Sequence, residues 1–416
     1  MKHRIFTLII MVFIVLQGYA QLSIEDCYEK AELNYPLIKQ YGLIEKSKDY
    51  NLSNTGKGYL PQIEFSAKAT YQSEVIKIPI NIPNIKGLSK EQYGATIDIN
   101  QTIWDGGNIK SQKDNITSQA VVDKKNLEVS IYSIRQRINQ LFFGILLYDE
   151  MLKQNMLYQE DLKRNLDQIS AYMQSGIANR ADMDAVEVEQ IKAKQKRTEL
   201  EYGKKAYLEM LSVFVNEQID ENIQLRKPTS KDLYLTNNKR PELEMYDAQL
   251  HNLDVQRNEV NATLMPKLSA FVTGGYGRPG LNMLKNKFSA YYIGGVSLSW
   301  NLSSLYTRKN KLNNIEISKS MIESQRETFL FDNRLDMSQS KIDIEKIRQI
   351  LKSDDNIIRL RGSVKNSAEA KVANGTLSVL ELMKEVNAEQ QAIQDKIVHE
   401  IELIQAIYNL KYITNN

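Results

Sequence analysis

"LPQIEFSAKATYQ", residues 60–72, alternates strictly between apolar and polar side chains from Ile63 to Tyr71. Ile63, Phe65, Ala67, Ala69 and Tyr71 fall on one side, and Glu64, Ser66, Lys68 and Thr70 on the other. A period of two marks a strand, yet the sequence on either side of it reads as long helix. The fold turns on where such a strand goes.

Three more stretches carry the same signal, at 94–103, 268–276 and 292–302. In the first, Ala95, Ile97, Ile99 and Ile103 alternate with Thr96, Asp98, Asn100 and Thr102; in the last, Val296, Leu298, Trp300 and Leu302 alternate with Ser297, Ser299, Asn301 and Ser303. Each is about 9–11 residues long, enough for a tilted strand to cross a bilayer. Tyr71, Tyr93, Trp104, Tyr276, Tyr291 and Tyr292 stand at the strand ends, where an aromatic girdle would sit. A soluble sheet packed on helices would also satisfy the alternation. It would leave unexplained the Pro/Gly-rich loops "IKIPINIPNIKG" (76–87) and "GRPGLNMLKNK" (277–287), which are of the kind found outside a barrel. Four strands cannot close a membrane barrel, and an open edge in lipid is prohibitive. Several chains must then share one barrel.

Proline maps the helices. The eight prolines stand at 36, 61, 79, 83, 228, 241, 266 and 279, leaving Asn84–Lys227 and everything after Gly280 free of them. Interior proline breaks helices, so the clean stretches predict helices at 23–55, 107–174, 180–214, 241–263, 307–372 and 379–411. Apolar residues recur along them as a seam, as at Ile347, Ile350, Leu351 and Ile358, and the other faces are charged. Such helices should pair side by side without a thick core. A helix of about 68 residues spans roughly 100 Å, and the shorter helices, stacked end to end, would match one long partner as a rod.

The chain also repeats itself. "YPLIKQY" lies over "RPELEMY", and "YLPQI" over "LMPKL", at one offset of 205; "SGIANRADM" (175–183) lies over "NGTLSVLEL" (374–382) at 199. Self-similarity at this spacing predicts one structural unit used twice: residues 21–226 with a hairpin at 63–103, and residues 227–416 with a hairpin at 268–302.

Residues 1–20 read as a secretory signal peptide, with Lys2 and Arg4 before an apolar run from Ile5 to Leu16 and Gly18-Tyr19-Ala20 at the cut. Removing them lowers the formal charge by two, from +3 to +1. That balance, with no basic run, argues against nucleic acid as a partner. The single cysteine, Cys27, excludes an intrachain disulfide and is misplaced for lipid attachment, so a helix-packing thiol is expected. His251 and His399 are the histidines outside the leader and lie in separate helices. No metal-ligand or triad spacing follows from them, and no Gly-rich loop follows a strand to cradle a phosphate. Enzyme chemistry, a cofactor and a metal site are not expected.

The leader, the duplicated helix–hairpin–long-helix unit and the glycine turns with an acidic residue six positions later resemble the TolC family of outer-membrane efflux ducts. The resemblance covers essentially the whole mature chain. It implies a mainly α protein with a small β part: long antiparallel helical hairpins forming a periplasmic α-barrel, continued by a 12-stranded transmembrane β-barrel shared by a homotrimer. It implies an outer-membrane location reaching into the periplasm, contact with outer-membrane lipid, and docking of a periplasmic adaptor (membrane fusion protein) that brings an inner-membrane pump. The duct itself would be passive, carrying small molecules or polypeptides. A periplasmic coiled-coil scaffold or adaptor without a pore is the alternative, and it has no need of four strands.

The same resemblance makes the turns at Ser175, Gly176, Asn179 and at Asn374, Gly375, Ser378 the periplasmic tips where the adaptor docks. Asp182 and Glu381 take the acidic position, and Glu381 would contribute to a constricting carboxylate ring. The second ring position, three residues on, holds Lys384, a departure from a doubly acidic ring. From the residues alone, Ser378 to Glu381 is equally a capping box. Both readings of Glu381 stand at this point.

Overall fold

The computed structural model describes residues 21–76, 87–229 and 238–415. The leader and most of the first loop, with Pro79 and Pro83, lie outside the described residues. In order, the elements are α1 (Ile24–Asn34), α2 (Lys39–Gly56), β1 (Gln62–Tyr71), β2 (Glu91–Trp104), α3 (Asn108–Tyr132), α4 (Ile134–Gln174), α5 (Arg180–Val215), α6 (Pro241–Ala262), β3 (Lys267–Arg278), β4 (Ser289–Ser299), α7 (Ser304–Ala373) and α8 (Val379–Thr414). The chain divides into two compact units, each drawing residues from both halves of the sequence. One holds α1, the last turn of α3, α4, α5, α8 and the C-terminal part of α7; the other holds α2, most of α3 and of α6, the four strands and the N-terminal part of α7.

Two expected helices are interrupted. The helix expected at 23–55 stops at Asn34 because Tyr35 precedes a proline and turns extended, with φ −63° and ψ 131°. A short 3₁₀ turn at Pro36–Ile38 then leads into α2. The helix expected at 107–174 is broken only at Ser133, which keeps helical angles. Α short capping box that the sequence reading missed starts α1: the Ser23 hydroxyl accepts from the Asp26 amide at 3.1 Å, and the Asp26 carboxylate accepts from the Ser23 amide at 3.0 Å.

The core of the helical unit gathers on α4. Ile138, Phe142, Phe143 and Ile145 are fully buried. Over this stretch α4 meets α1 through Tyr28 and Asn139, α8 through the ring of Tyr408 5.3 Å from Phe143, and α5 through Tyr207 against Gly144. Simple side-by-side pairing, the sequence expectation, therefore fails here, because α4 is covered from several directions. Cys27 packs into this core at 0% exposure, and burial pushes its thiol up to about 12.

The contact of α4 with α5 is an interlock. A Cβ on Gly144 would lie 2.3 Å from the Tyr207 ring, and one on Gly203 would lie 2.6 Å from the Tyr148 ring. Each helix thus presents a glycine where the other presents a tyrosine, and the two rings meet edge-on at 5.5 Å. Glycine inside a helix costs about 0.5–1 kcal/mol relative to alanine; the close ring packing explains why it is kept. Gly144→Ala should lower stability by about 1–3 kcal/mol through overpacking. In a Tyr207→Ala background the same substitution should cost less than about 1 kcal/mol, and thermal unfolding of the four variants measures the coupling.

Candidate functional site

The two tips are built alike. At the end of α4, the amide of Gly176 donates to the Met173 carbonyl at 3.1 Å and that of Ile177 to the Tyr172 carbonyl at 2.9 Å. At the end of α7, Gly375 donates to Val372 at 2.9 Å and Thr376 to Lys371 at 2.9 Å. Both are Schellman motifs, which need a left-handed residue after the helix. Gly176 has φ +74° and Gly375 φ +68°. Ser175 and Asn374 hydrogen bond back to the carbonyls of Ala171 and Ala370 through their side chains.

A capping box restarts the chain at each tip. The Asn179 side chain accepts from the amides of Ala181 and Asp182 at 2.8 and 3.2 Å, and Asp182 accepts from the Asn179 amide at 3.0 Å. Ser378 accepts from the Glu381 amide at 3.3 Å; Glu381 accepts from the Ser378 amide at 3.2 Å and its hydroxyl at 2.9 Å. Beneath the turns, Leu162, Ile169, Val186, Val372, Val379, Leu382 and Met383 form one buried cluster, so the two tips share a core. The sequence-selected residues of each tip are therefore brought together, and both tips rest on the same apolar base.

Glu381 is exposed and occupied by its cap. Hydrogen bonds from the Ser378 hydroxyl and amide hold its carboxyl below the ordinary 4.5, and the neighbouring Lys384 ammonium adds a smaller attraction. A carboxyl lowered on folding contributes stability that is present above its unfolded value and lost as the pH falls through its folded one. Protection of the amides at the start of α8, taken relative to their intrinsic exchange rates, should therefore fall as the pH drops below about 4.5, and Glu381→Gln should flatten that dependence. Gly375→Ala should cost about 1–2 kcal/mol by forcing a side chain into the left-handed region.

The sheet is the second candidate site. Its order is β1-β2-β3-β4, antiparallel throughout, with β1 and β4 at the edges. Directly opposed residues share a face, so register assigns every side chain. Ile63 pairs with Ile99 and Phe65 with Ile97; Ile99 pairs with Val272, and Ala270 and Leu268 pair with Val296 and Leu298. This face is apolar and uncovered: Ile63 and Phe65 are each 70% exposed, and Leu298 is 69% exposed.

The opposite face is mostly polar and internally bonded, although register also places Phe271, Tyr291 and Ile293 on it. Glu64 stands opposite Asp98, and Lys68 opposite Gly94. Asp98 accepts from Thr96 at 3.1 Å and Thr273 at 2.5 Å, and the Ser66 and Thr96 hydroxyls lie 2.8 Å apart.

Three details depart from the sequence reading. β4 ends at Ser299, so Trp300 and Leu302 lie beyond the strand; the Trp300 indole donates to the Leu264 carbonyl at 2.8 Å. Tyr291 pairs with Gly275 on the polar face, unlike Tyr71, Tyr93, Tyr276 and Tyr292 on the apolar one. Asp105 was missed: buried after β2, it accepts from Tyr59 at 3.1 Å, Gly107 at 3.0 Å and Ile109 at 2.6 Å, fixing the strand-to-helix corner. The local signal was an aspartate just before two glycines and a helix start.

No protein-family model matches the sequence, and no curated protein matches it either. Solved structures do. Over 94% of this chain and 96% of theirs, the fold matches the outer membrane protein VceC of Vibrio cholerae with TM-score 0.68 at 10% identity. It matches CusC, whose structures concern folding and transmembrane channel formation, with TM-score 0.70 at 10% identity over 94% and 92% of the two chains. The chain has the fold of TolC-type outer-membrane channels. The open state of the MtrE outer membrane channel of Neisseria gonorrhoeae has it too, with TM-score 0.68 at 11% identity over 94% and 89%. The likeness read from the sequence is thus a likeness of fold. Among the described residues no helix is long and apolar enough to cross a membrane.

Proposed function

We propose that the chain is the outer-membrane duct of a tripartite efflux or type I secretion assembly, a passive conduit and not an enzyme. One observation carries this reading: a four-stranded sheet with one largely apolar face uncovered, a mostly polar, hydrogen-bonded face behind it, and β1 and β4 at its two edges. A soluble sheet would bury its apolar face against helices. Hydrocarbon on that face and water on the other reverses the requirement, which is the pattern of a membrane barrel wall.

The free edges argue for assembly. In lipid every backbone donor and acceptor on β1 and β4 needs a partner, and three copies joined edge to edge would make a closed barrel of 12 strands. The repeats at 21–226 and 227–416 fit this scheme, each contributing one hairpin and one tip. The tips would face the periplasm, with Ser175, Gly176 and Asn179 in one and Asn374, Gly375 and Ser378 in the other receiving an adaptor from the inner-membrane pump. Glu381, with Asp182 and Lys384 nearby in the same motifs, would then line the narrowing, three copies of each around the axis.

Leu298→Arg should weaken assembly by about 2–4 kcal/mol if Leu298 lies near the midplane, whereas Ser299→Arg on the other face should be mild. Heat resistance of the oligomer in the outer-membrane fraction measures both. Equal tolerance would sink the membrane reading and favour a soluble sheet. Glutamine still serves in a capping box, so Glu381→Gln removes charge while keeping the turn. Reduced cation preference in single-channel recordings is expected; unchanged selectivity would leave Glu381 as a cap alone.

A further inference from the structure

The apolar face of the sheet carries charge at one end only. Going by register, Glu91 and Arg278 are its charged residues within the four strands, both at the end where β3 leaves for the 279–288 loop. The Arg278 guanidinium lies over the Tyr93 ring at 5.5 Å and the Phe288 ring at 5.6 Å. Tyr276 and Phe288 stack at 5.6 Å, so the rings form a wall that holds the guanidinium in one plane. Little uses its donors. Nη2 reaches the Glu91 carbonyl at 3.4 Å, the Glu91 carboxylate stays 3.8 Å away, and Nε is buried without a hydrogen-bond partner.

The adjoining loop is both apolar and basic. Leu281, Met283 and Leu284 are more than half exposed, and Lys285 and Lys287 are exposed among them. With Arg278 they make three cations at this end of the sheet, where Glu91 stands beside Arg278 and the exposed Lys90 and Glu74 of the neighbouring hairpin offset one another. Apolar side chains beside cations suit the boundary between acyl chains and headgroups. A stacked guanidinium presents a planar fork that fits phosphate, while the lysines add point charges.

We infer that Arg278, backed by Tyr93 and Phe288 and flanked by Lys285 and Lys287, binds the phosphate of an anionic lipid headgroup at the loop end of the sheet. The inference rests on the membrane reading of the sheet and adds to it a lipid class. It uses no residue of the tips.

The test takes the full chain in detergent and counts bound lipid by native mass spectrometry. The probes are diphosphoryl lipid A, the same lipid stripped of phosphate, and inorganic phosphate as competitor. Diphosphoryl lipid A should be retained about tenfold better than the stripped form, and inorganic phosphate should not displace it. Arg278→Gln should cut its affinity about tenfold, equivalent to ~1.4 kcal/mol. The double variant Lys285→Gln/Lys287→Gln, altered only in an exposed loop, should reduce it in the same direction with the oligomer intact. Equal retention of both lipids, or retention unchanged in both variants, overturns the site. Displacement by inorganic phosphate makes it a free-anion site and overturns the lipid assignment. Recovery of the parent chain in the soluble fraction is a different failure, because it removes the membrane reading before any lipid is added.

Discussion

The ladder between β2 and β3 joins parts of the chain far apart in sequence, from Tyr93 opposite Arg278 to Trp104 opposite Leu268. Each hairpin alone is a marginal two-stranded ribbon. Joined, they become one sheet in which the parity of a single residue sets the face of all four strands. A slip of β2 by one position would carry Asp98 to the side of Phe65 and Ile97 to the side of Glu64, and strand register is specified most firmly where the two faces differ most. A bulge between Thr102 and Trp104 brings Trp104 opposite Leu268 on the apolar side, at the corner where Asp105 starts the turn into α3.

The helical unit solves a different problem. Its stability concentrates in a few dense places: the apolar core around α4, the rings and glycines between α4 and α5, the cluster beneath the tips, and an arginine–tyrosine stack near the C-terminal end of α8. In that stack Tyr132 and Tyr412 lie parallel at 5.1 Å, and Arg240 sits over both rings, 4.9 and 4.8 Å from their centres. Arg135 covers Tyr132 and Tyr28 and bonds Glu32 at 2.6 Å. Planar cations between aromatic faces tie α1, α4 and α8 together without needing a wide hydrophobic stripe.

What the sequence disclosed follows from the range of each interaction. The strands were legible because alternation is local, and Ile63 to Tyr71 carries it without error. The tips were legible because Gly176, Asn179 and Asp182 lie within seven residues and each type has one preferred place in a helix stop and restart. The end of β4 was misread because Trp300 and Leu302 continue the alternation after the backbone has left the ladder. The arginine–tyrosine stack was invisible: positions 28, 132, 135, 240 and 412 share no local pattern and meet only through tertiary packing. Of Glu381 only the cap was legible, because Ser378 and Glu381 lie within one helical turn, whereas an axis shared with other copies leaves no local pattern.

Burial of Cys27 has a practical side. Its side chain is 0% exposed, and burial pushes the thiol up to about 12, away from the thiolate that reacts. No other cysteine occurs in the sequence. The native chain is thus close to silent toward maleimides, and its folded state needs no cysteine removed before a probe is attached. A cysteine introduced at Phe65 would then compete with lipid for its reagent, and one at Ser66 would meet it from the opposite side. The difference in their labelling rates would read the orientation of the wall directly in intact cells.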